Sequence, residues 1–129
     1  MENRNNEDGF TLVEVLVTLT IIGLLIGFTA VSVLPQLGKA NTVRAKGDIA
    51  SIETGLEFYI LENSSYPSQQ DGLEALLSGG HIKKLSNDPW GNPYEYRNPG
   101  ERSVVDVFSL GADGEPGGEG QDADIGNWQ

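Results

Sequence analysis

Between residues 10 and 34 the chain reads FTLVEVLVTLTIIGLLIGFTAVSVL, twenty-five residues with a single ionisable side chain, Glu14. As a helix this run is about 37 Å long, enough to cross a hydrocarbon core of about 30 Å with some tilt. The helix of a small soluble domain keeps a polar face, and this run has none before Pro35. A membrane helix is therefore expected. An ionised acid at the bilayer centre costs about 2.5–3.5 kcal/mol or more, so Glu14 is a functional candidate rather than decoration.

The rest of the chain suffices for one small domain. The whole chain's net charge of −11 comes from 19 acidic against 8 basic residues. That excludes nucleic acid, and anionic lipid headgroups, as partners that need clustered Lys and Arg. There is no cysteine, hence neither a disulfide framework nor a thiolate metal site. Ahead of the apolar run stands the polar stretch MENRNNEDG. A secretory signal would have a shorter apolar middle and a small-residue cleavage site after it. The pattern instead suggests a short leader, residues 1–9, that ends before the apolar run.

Gly9-Phe10-Thr11-Leu12-Val13-Glu14 resembles the processing motif of type IV pilins and type II secretion pseudopilins. The resemblance implies cutting after Gly9 by a prepilin peptidase and methylation of the new Phe10 amine. It also implies that Glu14 pairs with the Phe10 amine of a neighbouring subunit, which sets the stagger between copies. A desolvated pair of this kind is costly to break by removing one partner, so it acts as a register device. The Lys/Arg distribution taken alone points the helix the other way, with Lys39, Arg44 and Lys46 beyond it. The N-in, C-out orientation is what the resemblance implies.

Gly23 and Gly27 form a small-xxx-small pair that permits close helix approach. Thr18, Thr20, Thr29 and Ser32 can satisfy backbone groups where Pro35 removes a helical bond. Past the proline, Val43, Ile49, Ile52, Leu56, Tyr59 and Ile60 recur at helical spacings, predicting an amphipathic helix over 38–62 with these residues buried. A short helix is expected over 71–78 and a turn cluster around Trp90. Two antiparallel strands are expected over 94–97 and 104–110, joined by Asn98-Pro99-Gly100. Residues 125–128 are expected to return to the head and bury Trp128. The fold class is α+β, a long N-terminal helix packed on a small antiparallel sheet. The organisation expected is a leader (1–9), an assembly helix (10–34) and a head (35–129).

Tyr66-Pro67, Gly72-Leu73, Asp88-Pro89-Trp90-Gly91, Phe108-Ser109-Leu110-Gly111 and Asp124-Ile125-Gly126-Asn127-Trp128 resemble, in that order, the major pseudopilins of type II secretion, a pilin-like subgroup. Between Leu110 and Ile125 stand five acids among glycines. Such a segment is either solvated and disordered or folded around a hard cation such as calcium. Its bracketing by a strand and an Ile/Trp end favours the second. The resemblance implies structural calcium held by Asp113 and Asp124 side chains and by Leu110 and Glu115 carbonyls. Asp122, or in its place the spare acid Glu119, completes the set.

Nothing in the sequence points to an enzyme. His81 is the only histidine and is expected to cap or face solvent. Gly117-Gly118-Glu119-Gly120 is followed by acids that would repel phosphate. The resemblance implies a homo-oligomeric helical fibre on the bacterial inner membrane with its head in the periplasm. The implied partners are minor pseudopilins, the prepilin peptidase and an inner-membrane platform. Two alternatives remain at this level: a minor or competence pilin, and a membrane-tethered calcium-binding recognition module.

Overall fold

A computed structural model describes residues 9–129. The expected leader, apart from Gly9, lies outside the described residues, as does the side chain of Ser32. The element order is α1 (Leu12–Asn63), α2 (Glu74–Ser78), β1 (Glu95–Arg97), β2 (Asp106–Ser109), a 3-10 turn (Gly120–Asp122) and β3 (Ile125–Gly126). Two compact units divide the chain, one up to Leu37 and one of Gly38–Gln129.

In the first unit α1 begins at Leu12 and is not ended by Pro35, whose missing N–H forfeits one helical bond. Phe10, Leu16, Leu24, Phe28, Val31 and Leu34 are all exposed, as are the other large apolar residues of this stretch. An apolar surface of that extent is soluble only when lipid or protein covers it. Three of its threonine side chains are turned inward on the helix itself. Thr18, Thr20 and Thr29 each donate to the carbonyl four residues back, Glu14, Leu16 and Leu25, at 2.8 Å.

In the second unit Ala45, Ile49, Ile52 and Leu56 form the buried stripe of α1, at spacings of four, three and four. Leu73, Leu76, Tyr94, Tyr96, Val105, Val107 and Ile125 close over them. Each such side chain contributes about 1.5–3 kcal/mol of apolar burial. Val43 departs from expectation: it is 70% exposed, and Ala45, fully buried, holds the corresponding place in the stripe. Tyr59 and Ile60 are half-buried at its far end. The tyrosine hydroxyls find acceptors at the core's edge. Tyr94 donates to Asp48 at 2.7 Å and Tyr96 to the Pro67 carbonyl at 2.8 Å. Burial pushes the Tyr96 hydroxyl up to about 12. Burial, reinforced by the bond to Asp48, raises that of Tyr94 further.

The sheet has three strands in the order β1-β2-β3, antiparallel throughout, with Arg97 opposite Asp106 and Ser109 opposite Ile125. Two differences from the sequence reading have one cause each. β2 begins at Asp106 rather than 104 because the Asp106 carboxylate folds the preceding loop onto itself. It accepts the N–H of Glu101 (2.7 Å), Arg102 (3.2 Å) and Ser103 (2.8 Å). The returning C-terminus becomes a third strand because Asn127 clamps the edge of β2. Its amide groups bond Val107 N–H and the Val105 carbonyl, and its own N–H bonds the Val107 carbonyl. The turn cluster before the sheet is organised by Asp88, buried, with one oxygen on the N–H groups of Trp90 and Asn92. The other accepts the Ser109 hydroxyl at 2.6 Å. Gly91 closes that turn at φ +91°, where a side chain would be strained.

Candidate functional site

Two places carry the residues singled out by the sequence. The first is the start of α1. Thr11 and Glu14 form a reciprocal cap: the Glu14 N–H donates to the Thr11 hydroxyl (3.2 Å) and the Thr11 N–H to Glu14 Oε2 (3.1 Å). A Ser/Thr-x-x-Glu cap satisfies two of the four amides a helix start leaves without partners. The lone acid of the apolar segment is thus held at the positive end of the helix dipole, where a carboxylate is favoured. Both residues are exposed, and Phe10 beside them is exposed as well. Thr11 was not among the predicted site residues, although the spacing Thr11-x-x-Glu14 spells the capping box in the sequence itself.

The second place is the acidic loop. Gly111, Gly114, Gly117, Gly118 and Gly120 all take positive φ. At Gly111 and Gly118 the backbone of Asp122 packs so closely that a Cβ would clash with it. Asp113 is exposed and its Oδ1 accepts the Glu115 N–H at 3.1 Å. Asp124 Oδ2 accepts the Gly117 N–H at 3.0 Å, and its Oδ1 is buried with no hydrogen-bond partner among the described residues. Ala112 N–H to the Gln121 carbonyl (2.9 Å) and Asn92 to the Gly111 carbonyl (3.3 Å) tie the loop across and down to the Asp88 turn. Trp90 Nε1 donates to Gln121 Oε1 at 3.3 Å, and the Gln121 side chain lies over Gly38 of α1, where no Cβ has room.

Among the described residues no three carboxylate or histidine groups are gathered closely enough to hold a metal. Asp113 and Asp124 serve the loop's own backbone, and Asp122 and Glu119 are exposed. The loop nevertheless fits a hard cation in chemistry. Its donors are all oxygens, and the orphaned Asp124 Oδ1 is a buried acceptor of the type calcium takes. His81 caps the end of α2 through its backbone N–H, which donates to the Leu76 carbonyl at 2.9 Å, but its side chain does not face solvent. Its side chain is 5% exposed, with Nε2 2.8 Å from Glu62 Oε2 and its ring edge-on to Tyr59.

With this geometry in view, comparison with known proteins gives a consistent set of likenesses. Residues 32–128 match the family model described as type II secretion system protein G, and residues 4–30 match the prokaryotic N-terminal methylation motif. The chain is 45% identical to the type II secretion system core protein G of Vibrio cholerae serotype O1, covering 99% of this chain and 96% of that one. It is 44% identical to the core protein G of Pseudomonas aeruginosa, covering 97% of each. Its fold is similar to the crystal structure of the major pseudopilin of enterohaemorrhagic Escherichia coli. The TM-score is 0.65 at 38% identity, covering 72% of this chain and 87% of that one.

Proposed function

From the premise that this chain belongs to the type II secretion system protein G family, we propose that it is the repeating structural subunit of a periplasmic pseudopilus. Its helix anchors it in the inner membrane before assembly, and its head, Gly38–Gln129, stands in the periplasm. Removal of the leader after Gly9 makes the Phe10 nitrogen an amine, which is then methylated. That amine lies at the start of the helix whose first turn Glu14 caps.

The observation that carries this reading is the pairing of a full-length likeness with an exposed apolar helix holding one carboxylate. Glu14 Oε2 is engaged by Thr11 at 3.1 Å. The carboxylate is exposed, so it remains open to the amine of a second copy. In lipid such an amine has few other partners, and the contact fixes which copy lies beside which. Minor pseudopilins, a prepilin peptidase and an inner-membrane platform are the remaining partners.

Calcium supplies the positive centre that the acidic loop lacks. Asp113, Asp124 and Asp122 side chains with the Leu110 and Glu115 carbonyls would hold it, and the orphaned Asp124 Oδ1 supports the assignment. The chain's own part is to bring the strand β2 and the returning β3 to the two ends of the loop, so that closing it braces the sheet edge.

Glu14→Ala tests the assembly role. The variant is expected to insert in the membrane and to lose fibre formation; a variant that forms fibres at the normal level overturns the reading. Mass spectrometry of the mature N-terminus is expected to begin at methylated Phe10. Retention of residues 1–9 in a host with the full processing machinery would remove the pilus-like account.

A further inference from the structure

The face of the sheet turned away from α1 carries a feature that the pseudopilus reading does not use. Phe108 is buried there, outside the main core, with the Trp128 ring at 5.7 Å. The Arg97 guanidinium lies 5.0 Å over Phe108, and that of Arg102 lies 4.6 Å over Trp128. Arg97 already has a carboxylate, Glu101 at 2.9 Å. Arg102 has none: among the described residues no acid lies within ion-pair reach of it.

Several lysines of this acidic chain share that condition, but Arg102 differs in being fixed at both ends. Its backbone N–H is held by buried Asp106, along with those of Glu101 and Ser103. Its planar head lies on the indole, and the indole in turn sits against Gly126, where a Cβ would collide with the ring. A stacked guanidinium loses little freedom on binding, and its donor edge matches a carboxylate in a fork.

The complementary surface is on the same chain. The acidic loop has no Lys or Arg between Leu110 and Ile125. Two of its exposed acids are Glu115, whose side chain is outside the expected metal set, and Glu119, the spare acid when Asp122 completes that set. Among the described residues neither acid forms an ion pair with Arg102 of its own copy. We infer that Arg102, presented by Trp128 and Asp106, docks the Glu115–Glu119 carboxylates of a second copy, forming a head-to-head contact of the fibre in addition to the helix contact. Two different patches meeting in this way make a heterologous interface, which propagates into a filament rather than closing as a dimer. This inference rests on the fibre reading above.

The absence of cysteine makes the test clean. Full-length chains carrying Arg102→Cys with Glu115→Cys or Glu119→Cys are assembled in a host with the complete machinery and oxidised. A ladder of cross-linked multimers is expected, lost when Glu14→Ala is added. Separately, Arg102→Glu is expected to lower fibre yield several-fold, and Arg102→Glu combined with Glu115→Arg and Glu119→Arg to restore it. Restoration excludes misfolding as the cause of the loss. Fibres that form without either cross-link, or a charge swap that fails to restore yield, overturn the contact while leaving the fibre intact. A wild-type chain that makes no fibre in the same host overturns the fibre reading and the contact together.

Discussion

Asp106 offers the sharpest quantitative test of the head. Its side chain is 1% exposed, yet it accepts three backbone N–H groups from the loop that precedes β2. Burial alone would push its carboxyl up. The amides of Glu101, Ser103 and Arg102, with the nearby Arg97 charge, hold it below the ordinary aspartate value of 3.8. Asp106→Asn keeps the shape but replaces one acceptor oxygen with a donor that faces N–H groups. A hydrogen bond to a charged group contributes about 1.5–3 kcal/mol, and a buried donor left unpaired costs about 1–3 kcal/mol. Glu101 and Arg102 are exposed, so water recovers part of the loss. The net expectation is a destabilisation of about 2–3 kcal/mol, a large share of the about 5–15 kcal/mol typical of a domain.

Both tryptophans, Trp90 and Trp128, lie in the second unit. Their fluorescence during denaturant unfolding of the full chain in detergent therefore reports the head alone. The pH dependence has a fixed sign. A depressed native value means that the stabilisation is complete above the unfolded value and fades as pH falls through the native one. The gap between wild type and Asp106→Asn should therefore narrow in strong acid. A gap below about 0.5 kcal/mol at neutral pH, or one that widens on acidification, would refute the reasoning.

Leu76→Ala removes a fully buried side chain from the short helix α2, and a loss of about 2–5 kcal/mol is expected in the same fluorescence assay. Gly126→Ala places a methyl into the Trp128 ring, so the indole must move and about 1–3 kcal/mol is expected to be lost, with a red-shifted emission. Calcium chelation is expected to lower the melting temperature and protease resistance of the head. Asp124→Ala, which removes the orphaned buried oxygen, should make the protein insensitive to the chelator; an unaltered response in that variant would argue against the loop as the binding place.

The helix and the general order of the head were legible because their signals are long: an apolar run of twenty-five residues, then spacings of three and four. Shorter features were not. β3 is two residues, too few for any alternation to show, and exists through its pairing with Phe108 and Ser109. Val104-Val105-Asp106-Val107 reads as continuous strand, and only the folded loop reveals that Asp106 delays its start by capturing three amides. Val43 was misplaced by a phase error of the helix stripe, which a small residue, Ala45, occupies instead. The burial of the His81 side chain is not legible because its partner, Glu62, is nineteen residues away in the chain. At the helix start the four letters from Thr11 to Glu14 contained the cap in plain form. In the acidic loop composition carries no information on which oxygen is left without a partner, and Asp124 Oδ1 emerges only from the fold.

Thr18, Thr20 and Thr29 of the apolar half have a consequence for traffic between environments. A hydroxyl already closed onto its own backbone presents only a methyl to the outside, so the segment looks the same to acyl chains as to a neighbouring helix. Moving it from one to the other breaks no hydrogen bond along that stretch. Among the described side chains, what is left to discriminate between the two settings is the capped carboxylate, so withdrawal from lipid turns chiefly on that group.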